Sequence, residues 1–224
     1  MSDVPPLPWL EADDGPESLP DPTTALAEPN GLLAIGGALT PDWLLAAYRR
    51  GIFPWFNRGQ PILWWSPDPR AVLCPERFRQ SRSLGQSIRN RGFETRIDTA
   101  FTAVVESCAA GRPDGGTWIL PAMKRAYHEL HRLGHAHSFE TWADGRLVGG
   151  LYGVRLGGMF FGESMFTSER DASKVALARL VLEARTTGIE LIDCQMPTPH
   201  LASLGAETLP RALFLRRLAA LVGA

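Results

Sequence analysis

Lysine is nearly absent from this 224-residue chain: Lys124 and Lys174 are the two, so arginine supplies almost all of the positive charge. Cysteine is also scarce. Cys74, Cys108 and Cys194 are odd in number and far apart, which excludes a disulfide framework and a Cys-x-x-Cys metal site. No apolar run approaches the roughly 20 residues that span a bilayer. The opening stretch "MSDVPPLPWLEADDG" has neither a basic start nor an apolar run before its acids, so it does not read as a signal peptide. These absences predict a cytoplasmic protein without a membrane partner. Internal repeats are lacking too.

The chain does have an uneven charge distribution. Overall the balance is −1, yet residues 1–30 hold seven acids and no base, leaving a net +6 over 31–224. Seven arginines fall between positions 70 and 96: Arg70, Arg77, Arg79, Arg82, Arg89, Arg91 and Arg96. Such a stripe either tracks a phosphate backbone or forms a solvated face. Residues 1–27, rich in Pro, Asp and Glu, are expected to be a loosely attached extension. Order is expected from "EPNGLLAIGG", a turn and a short strand.

The local signals beyond it define an α+β or α/β core. "TPDWLLAAYRRG" carries Thr40 as N-cap, Pro41 at the first helical position and Gly51 past the end. "GIFPWFNRGQPILWWSPDPR" packs five aromatics among four prolines, which reads as a pocket wall or as a plug between domains. In "LPAMKRAYHELHRLG", Met123, Ala126, Tyr127, Leu130 and Leu133 share one helical face. The next stretch, ending at "FFGESMF", reads as a three-stranded meander turning near Asp144-Gly145 and Gly157-Gly158. "DASKVALARLVLEARTTG" is a helix capped by Asp171 or Ser173 and stopped by Gly188. "IELIDCQM" is a buried strand, and "LPRALFLRRLAALVG" is a closing helix begun by Pro210.

Several constellations could carry chemistry. His128, His131, His135 and His137 cluster, but "HELH" is one residue short of the His-Glu-x-x-His zinc pattern, so no metal is expected. "DCQ" at 193–195, with His200 following, could hold a Cys-His nucleophile or an acid-amide pair. Strand alternation favours the pair: Asp193 and Gln195 share one face, while Cys194 joins the apolar row of Ile192 and Met196. Glu163 sits in an apolar strand and needs a cation, supplied either by an internal arginine or by a substrate. The "DASKVA" helix start lacks the glycine-rich loop that holds a CoA pyrophosphate, which counts against an acyl-CoA enzyme. A non-catalytic RNA-binding module would explain the arginines and aromatics but not these three polar residues at strand ends.

The segments "EPNGLLAIGG", "YRRGIFPWF", "ILWWSPDPRAVL", "GTWI", "AYHELHRLGHAHSFE", "LVGGLYGV", "FGESMF", "ASKVAL", "LIDCQ" and "HLASLGA" occur in this order. From Glu28 to Pro210 the chain closely resembles the leucyl/phenylalanyl-tRNA–protein transferases. The resemblance implies transfer of Leu or Phe from Leu-tRNA or Phe-tRNA to the α-amine of proteins with N-terminal Arg or Lys. The product is an N-end rule degradation signal. It implies a small N-terminal α/β domain, here 28–69, followed by a GNAT-like domain over 70–224, with a mixed sheet flanked by helices and no cofactor. Carried over by position, Asp193 and Gln195 match the catalytic pair and Glu163 an acid near the acceptor. Trp55, Trp118 and Phe160 match the pocket for the donor side chain and adenosine. For Phe160 and Glu163 to reach one site, a bulge is required at Gly162. Leu151 and Leu180 stand where Met and Phe are familiar in the donor pocket. The natural tRNA surface is then Arg70, Arg77, Arg79, Arg82, Arg89 and Arg91.

Overall fold

A computed structural model describes residues 7–110 and 117–223. The N-terminal part forms a four-stranded sheet from β1 (Trp9–Leu10), β2 (Leu32–Gly36), β3 (Phe53–Pro54) and β4 (Leu63–Trp65), in the order β1-β2-β4-β3. Helix α1 (Pro41–Arg49) lies between β2 and β3. Its start is as expected: the Thr40 hydroxyl accepts from the Trp43 N–H at 3.5 Å, and Pro41 occupies the first turn, where no N–H is needed.

Residues 7–27 are not loosely attached, contrary to the expectation for 1–27; residues 1–6 lie outside the described residues. β1 runs parallel to β2, Leu10 and Leu19 are buried, and Arg50 donates to the carbonyls of Leu19 (2.6 Å) and Pro20 (2.8 Å). The acids that made the segment look unstructured stay on its surface, while the leucines and prolines between them face inward. Composition averaged over the segment hid that alternation.

The larger sheet has seven strands in the order β11-β5-β10-β9-β8-β7-β6. They are β5 (Arg70–Leu73), β6 (Glu94–Ile97), β7 (Ala136–Ala143), β8 (Arg146–Leu156), β9 (Met159–Thr167), β10 (Leu191–Gln195) and β11 (Glu207–Leu209). The meander β7-β8-β9 is antiparallel, with turns at the two expected dipeptides. β10 then pairs parallel to β9. Parallel neighbours need a crossover, and α5 (Ala172–Thr187) provides it, ended by Gly188 at φ 77°. Asp171 precedes α5 but does not cap it; its carboxylate takes the Ser87 hydroxyl and the Lys174 ammonium instead.

Both sheet faces are covered, so the α+β reading of a mixed sheet flanked by helices holds. One face packs Leu73, Phe139, Leu151, Phe160 and Ile192 against Leu177, Leu180 and Val181 of α5. Outside α5, helix α2 (Arg82–Asn90) contacts it. The other face carries α3 (Phe101–Ala110), α4 (Pro121–Arg132) and, beyond the short α6 (Pro199–Ser203), α7 (Arg211–Val222). Each of these leucine, isoleucine, valine or phenylalanine side chains contributes about 1.5–3 kcal/mol by leaving water. Tyr127, Phe161 and Phe214 belong to this second layer, together with Tyr48 of α1, which joins the N-terminal part to the large sheet.

Candidate active site

A cavity of about 350 Å³ opens where the two sheets meet. Phe53, Trp55, Trp65 and Trp118 supply its aromatic surface, and Glu163 and Gln195 stand among its polar groups with Asn30 and Thr198. The rings of Trp55 and Trp65 meet edge to face, with centroids 5.5 Å apart, and the Trp65 indole N–H donates to the Trp55 carbonyl at 2.6 Å. That bond fixes Trp55, whose ring remains 42% exposed and free to stack on a ligand. The aromatic stretch is therefore both things the sequence allowed: Trp64 is an internal plug, and Trp55 and Trp65 form a wall.

Gln195 reaches the cavity because β10 breaks its pleat. Asp193 lies opposite Val72 of β5, but Gln195 lies opposite Ala71, so Cys194 is the extra residue of a bulge. Gln195 adopts φ 55°, a left-handed conformation uncommon for a side chain of its kind. Its backbone N–H donates to Asp193 Oδ1 at 3.0 Å.

Asp193 is not on the cavity wall, and this corrects the expectation of a shared face with Gln195. It is fully buried and bound side-on by Arg70: Nε to Oδ1 at 2.8 Å and Nη2 to Oδ2 at 2.6 Å. Arg70 is itself 1% exposed, with its guanidinium 4.7 Å from the ring centroids of both Phe53 and Phe214. It cannot touch a phosphate backbone, so it leaves the set of expected tRNA-binding arginines. Its charge was visible in the sequence; its burial depended on a partner 123 residues away.

Cys194 packs against the α5-side core, and burial pushes its thiol up to about 12, with the nearby Asp193 charge adding to the shift. Its Sγ has only the Ile192 carbonyl, at 3.8 Å, and no histidine. A thiol held neutral and without a base is no nucleophile, which removes the Cys-His alternative.

Glu163 is half-buried at the other side of the cavity. Tyr48 donates to its Oε1 at 2.7 Å and Tyr127 to its Oε2 at 2.5 Å, while the two phenol oxygens lie 2.8 Å apart. Burial raises the carboxyl to about 7; the phenol donors and Arg70 pull it down, and Asp193 pushes it up. The cation that the sequence demanded is not a direct partner: phenols satisfy Glu163 instead. These tyrosines were missed as site residues. The signal for Tyr127 was a phenol on an otherwise apolar helical face, since a buried hydroxyl needs a partner.

A bulge does occur in β9, one residue beyond the expected place. Gly162 lies opposite Gly153 and Ser164 opposite Tyr152, leaving Glu163 unpaired between them. Gly153 has to be glycine here, because a Cβ would sit 2.2 Å from the Phe161 carbonyl oxygen. The bulge does not bring Phe160 to the cavity. Phe160 lies in the α5-side core, edge to face with Phe139 at 5.7 Å, together with Leu151 and Leu180.

Of the remaining arginines, Arg79, Arg82, Arg89 and Arg91 are exposed, as is Arg77, which pairs with Glu207 at 2.5 Å. Arg91 donates to the Arg170 carbonyl at 2.6 Å. Two shallow depressions connect the cavity to Arg77 and Arg79. The first shares Thr198 and Leu201 with the cavity, and the second shares Ala202, Ala206 and Glu207 with the first. Two of the four histidines serve the fold: His131 bonds the Ala136 carbonyl and stacks on Phe101, and His137 bonds Asp98. Among the described residues no group of three or more His, Cys, Asp or Glu could hold a metal, and no helix is long and apolar enough to cross a membrane.

Comparison with known proteins adds the following. The family described as leucyl/phenylalanyl-tRNA protein transferase matches residues 72–219, and the description of its N-terminal domain matches residues 37–68. Two relatives carry the name leucyl/phenylalanyl-tRNA–protein transferase. The one from Azoarcus sp. (strain BH72) is 61% identical over 211 residues, covering 93% of this chain and 88% of its own. The one from Thiobacillus denitrificans is 60% identical over 204 residues, covering 91% and 90%. Among solved structures, a GCN5-related N-acetyltransferase from Kribbella flavida aligns at a TM-score of 0.41 and 11% identity, over 75% of this chain and 59% of that one. With more than half its length matched and relatives at 60% and 61% identity, this chain belongs to the leucyl/phenylalanyl-tRNA–protein transferase family.

Proposed function

We propose that the protein transfers leucine or phenylalanine from an aminoacyl-tRNA to the α-amine of an acceptor protein whose first residue is Arg or Lys, marking it for N-end rule degradation. The observation that carries the reading is one cavity, in a chain of this family, lined by a tryptophan wall and by Glu163 and Gln195. The reaction is aminolysis of an activated ester, so positioning supplies most of the rate. Trp55 and Trp118 stack the terminal adenosine or take the apolar donor side chain. Gln195 directs its amide at the attacking amine. An amide oxygen is too weakly basic to keep a proton at neutral pH, but Glu163 is not.

The acceptor α-ammonium has a pKa near 8 and Glu163 titrates at about 7. Transfer between them is uphill by about 1.4 kcal/mol, a small fraction of a reaction barrier. Each Glu163 oxygen spends one lone pair on a phenol, and a carboxylate has about four acceptor positions. One on each oxygen remains for the amine. The carboxylate thus both attracts the acceptor cation and receives its proton; the N–C bond then forms as the ester C–O bond breaks, and a second amine proton leaves on the departing ribose oxygen as its hydroxyl.

The reading is tested by incubating the protein with charged Leu-tRNA or Phe-tRNA and a peptide beginning with Arg. A mass gain of one leucyl or phenylalanyl residue is expected, and none on the N-acetylated peptide. No gain with either donor at low salt would refute it. Arg79, Arg82 and Arg89 are the free cations for the acceptor stem, with Arg82 and Arg89 seven residues apart on one face of α2. Neutralising each should weaken tRNA binding and lower the slope of log K against log salt by about 1. Arg70, being buried, should leave that slope unchanged. An unaltered slope in all three exposed variants would remove the assignment.

A further inference from the structure

We propose that Arg70 is a positioning residue for Gln195, acting through Asp193, so that one buried ion pair sets the geometry of the cavity's amide. This rests on the transferase reading above. The link is continuous. Arg70 clamps both Asp193 oxygens, and Oδ1 of the clamped carboxylate faces the Gln195 N–H at 3.0 Å. That hydrogen bond crosses the bulge at Cys194, where β10 leaves its register with β5, and it anchors the entry to the turn in which Gln195 has φ 55°, a turn closed by the Met196 N–H on the Cys194 carbonyl at 2.7 Å. A non-glycine residue holds such a conformation only where its surroundings over-determine it, and here the surroundings are Asp193. Asp193 is in turn over-determined: its neighbour Arg70 is pinned between Phe53 of the N-terminal part and Phe214 of α7.

Stability alone does not account for the pair. A buried ion pair gains little over apolar side chains of equal volume, because both ions lose their hydration. Among the described residues Arg70 Nη1 is buried with no acceptor, a further cost. What the pair does uniquely is orient a carboxylate. Two oxygens gripped by two nitrogens in one plane leave Asp193 no rotation, whereas a single contact would allow it. Phe53 also lines the cavity, so a ligand pressing on that wall touches the residue that packs Arg70.

The test compares Arg70→Met and Arg70→Lys in the full chain, each also combined with Gln195→Gly. Arg70→Met fills the slot between the rings without charge, and Arg70→Lys keeps charge but loses the fork. With thermal melting and circular dichroism verifying the fold, Arg70→Met should lower kcat about tenfold or more, as a displaced reacting group does. KM for tRNA and its salt slope should stay at wild-type values. In the Gln195→Gly background, where there is no amide to position, neither substitution should lower kcat further at a pH well above the Glu163 break, where the loss of Arg70's charge no longer changes the ionisation of Glu163. Equal losses in both backgrounds, unchanged kcat in a folded variant, or an altered salt slope would each overturn the proposal. Arg70→Lys should give the same pattern at smaller amplitude if Arg70→Met fails to fold. Hydrogen exchange over residues 191–198 reads the link without catalysis. Protection of the Gln195 amide should fall in the Arg70 variants, and unchanged protection would sink the idea even if wild-type transfer were absent. Wild-type transfer with and without Gln195 tests the functional reading separately.

Discussion

Gln195→Ala is expected to lower the rate of peptide-bond formation by about 2–4 kcal/mol of transition-state stabilisation, roughly 30- to 1000-fold, while tRNA affinity is retained. The side chain projects into the cavity from a left-handed backbone, so alanine removes only one of two features. It removes the amide and it leaves a Cβ in a conformation that favours glycine. Gln195→Gly separates them: it removes the amide without the backbone strain. Alanine and glycine should be equally slow in single-turnover transfer, with glycine the more heat-stable of the two. Gln195→Glu keeps an acceptor oxygen at the same reach and should preserve substantial activity. Alanine near wild type would show that the amide contributes no positioning.

Glu163→Gln should cost about 100-fold in kcat/KM, the lower end of what a positioned base contributes, and should also change the shape of the pH profile. In the wild type the reactive pair carries one proton, handed from the acceptor amine to Glu163, so on the acid side only protonation of Glu163, at about 7, opposes reaction. Log kcat/KM should therefore fall with a slope of 1 below about 7, whereas in Glu163→Gln, where only the free amine reacts, the fall should begin near 8.

The groups facing Glu163 set the direction of further shifts. Tyr48 from α1 and Tyr127 from α4 donate to it and lower its pKa, Arg70 lowers it through charge, and Asp193 raises it. Among the described residues the Tyr152 phenol from β8 has no hydrogen-bond partner of its own. Tyr127→Phe removes a donor without removing the ring, so the break should move to higher pH. A break that stayed in place in Tyr127→Phe, or one that stayed at about 7 in Glu163→Gln, would exclude Glu163 as the group that takes the proton. These phenols were already ionisation-resistant by burial, with Tyr48 and Tyr127 both held well above 10. They remain donors across the whole range of such a titration.

Local chemistry wrote much of the framework into the sequence. Thr40-Pro41 starts α1, Asp144-Gly145 and Gly157-Gly158 turn the meander, and Gly188 stops α5. Each signal acts within a few residues, where the backbone itself enforces the outcome. The chemical character of the site was legible too, since Trp55, Trp118, Glu163 and Gln195 all line one cavity. Helix α3 was not read as an element, although Phe101, Val104, Val105 and Cys108 follow helical spacing. Its charge-poor sequence offers no polar face to contrast with the buried one.

What the sequence by itself determined were residue types, their local periodicities and the family pattern, all of which need only neighbours along the chain. Tertiary structure alone decided which charges are buried. Arg70 and Arg79 look alike in a basic stripe, but the first meets Asp193 across 123 residues and the second meets solvent. It also decided which strand faces are broken. Bulges at Glu163 and Cys194 shift register by one residue, and a shift of one reverses every face assignment beyond it. Asp193 was assigned to the cavity face for that reason, whereas Phe160 was assigned to the pocket by resemblance, on a bulge at Gly162 that the structure moves to Glu163. Their alternation could be counted, but the register on which counting depends is set by pairing with strands far away in the chain.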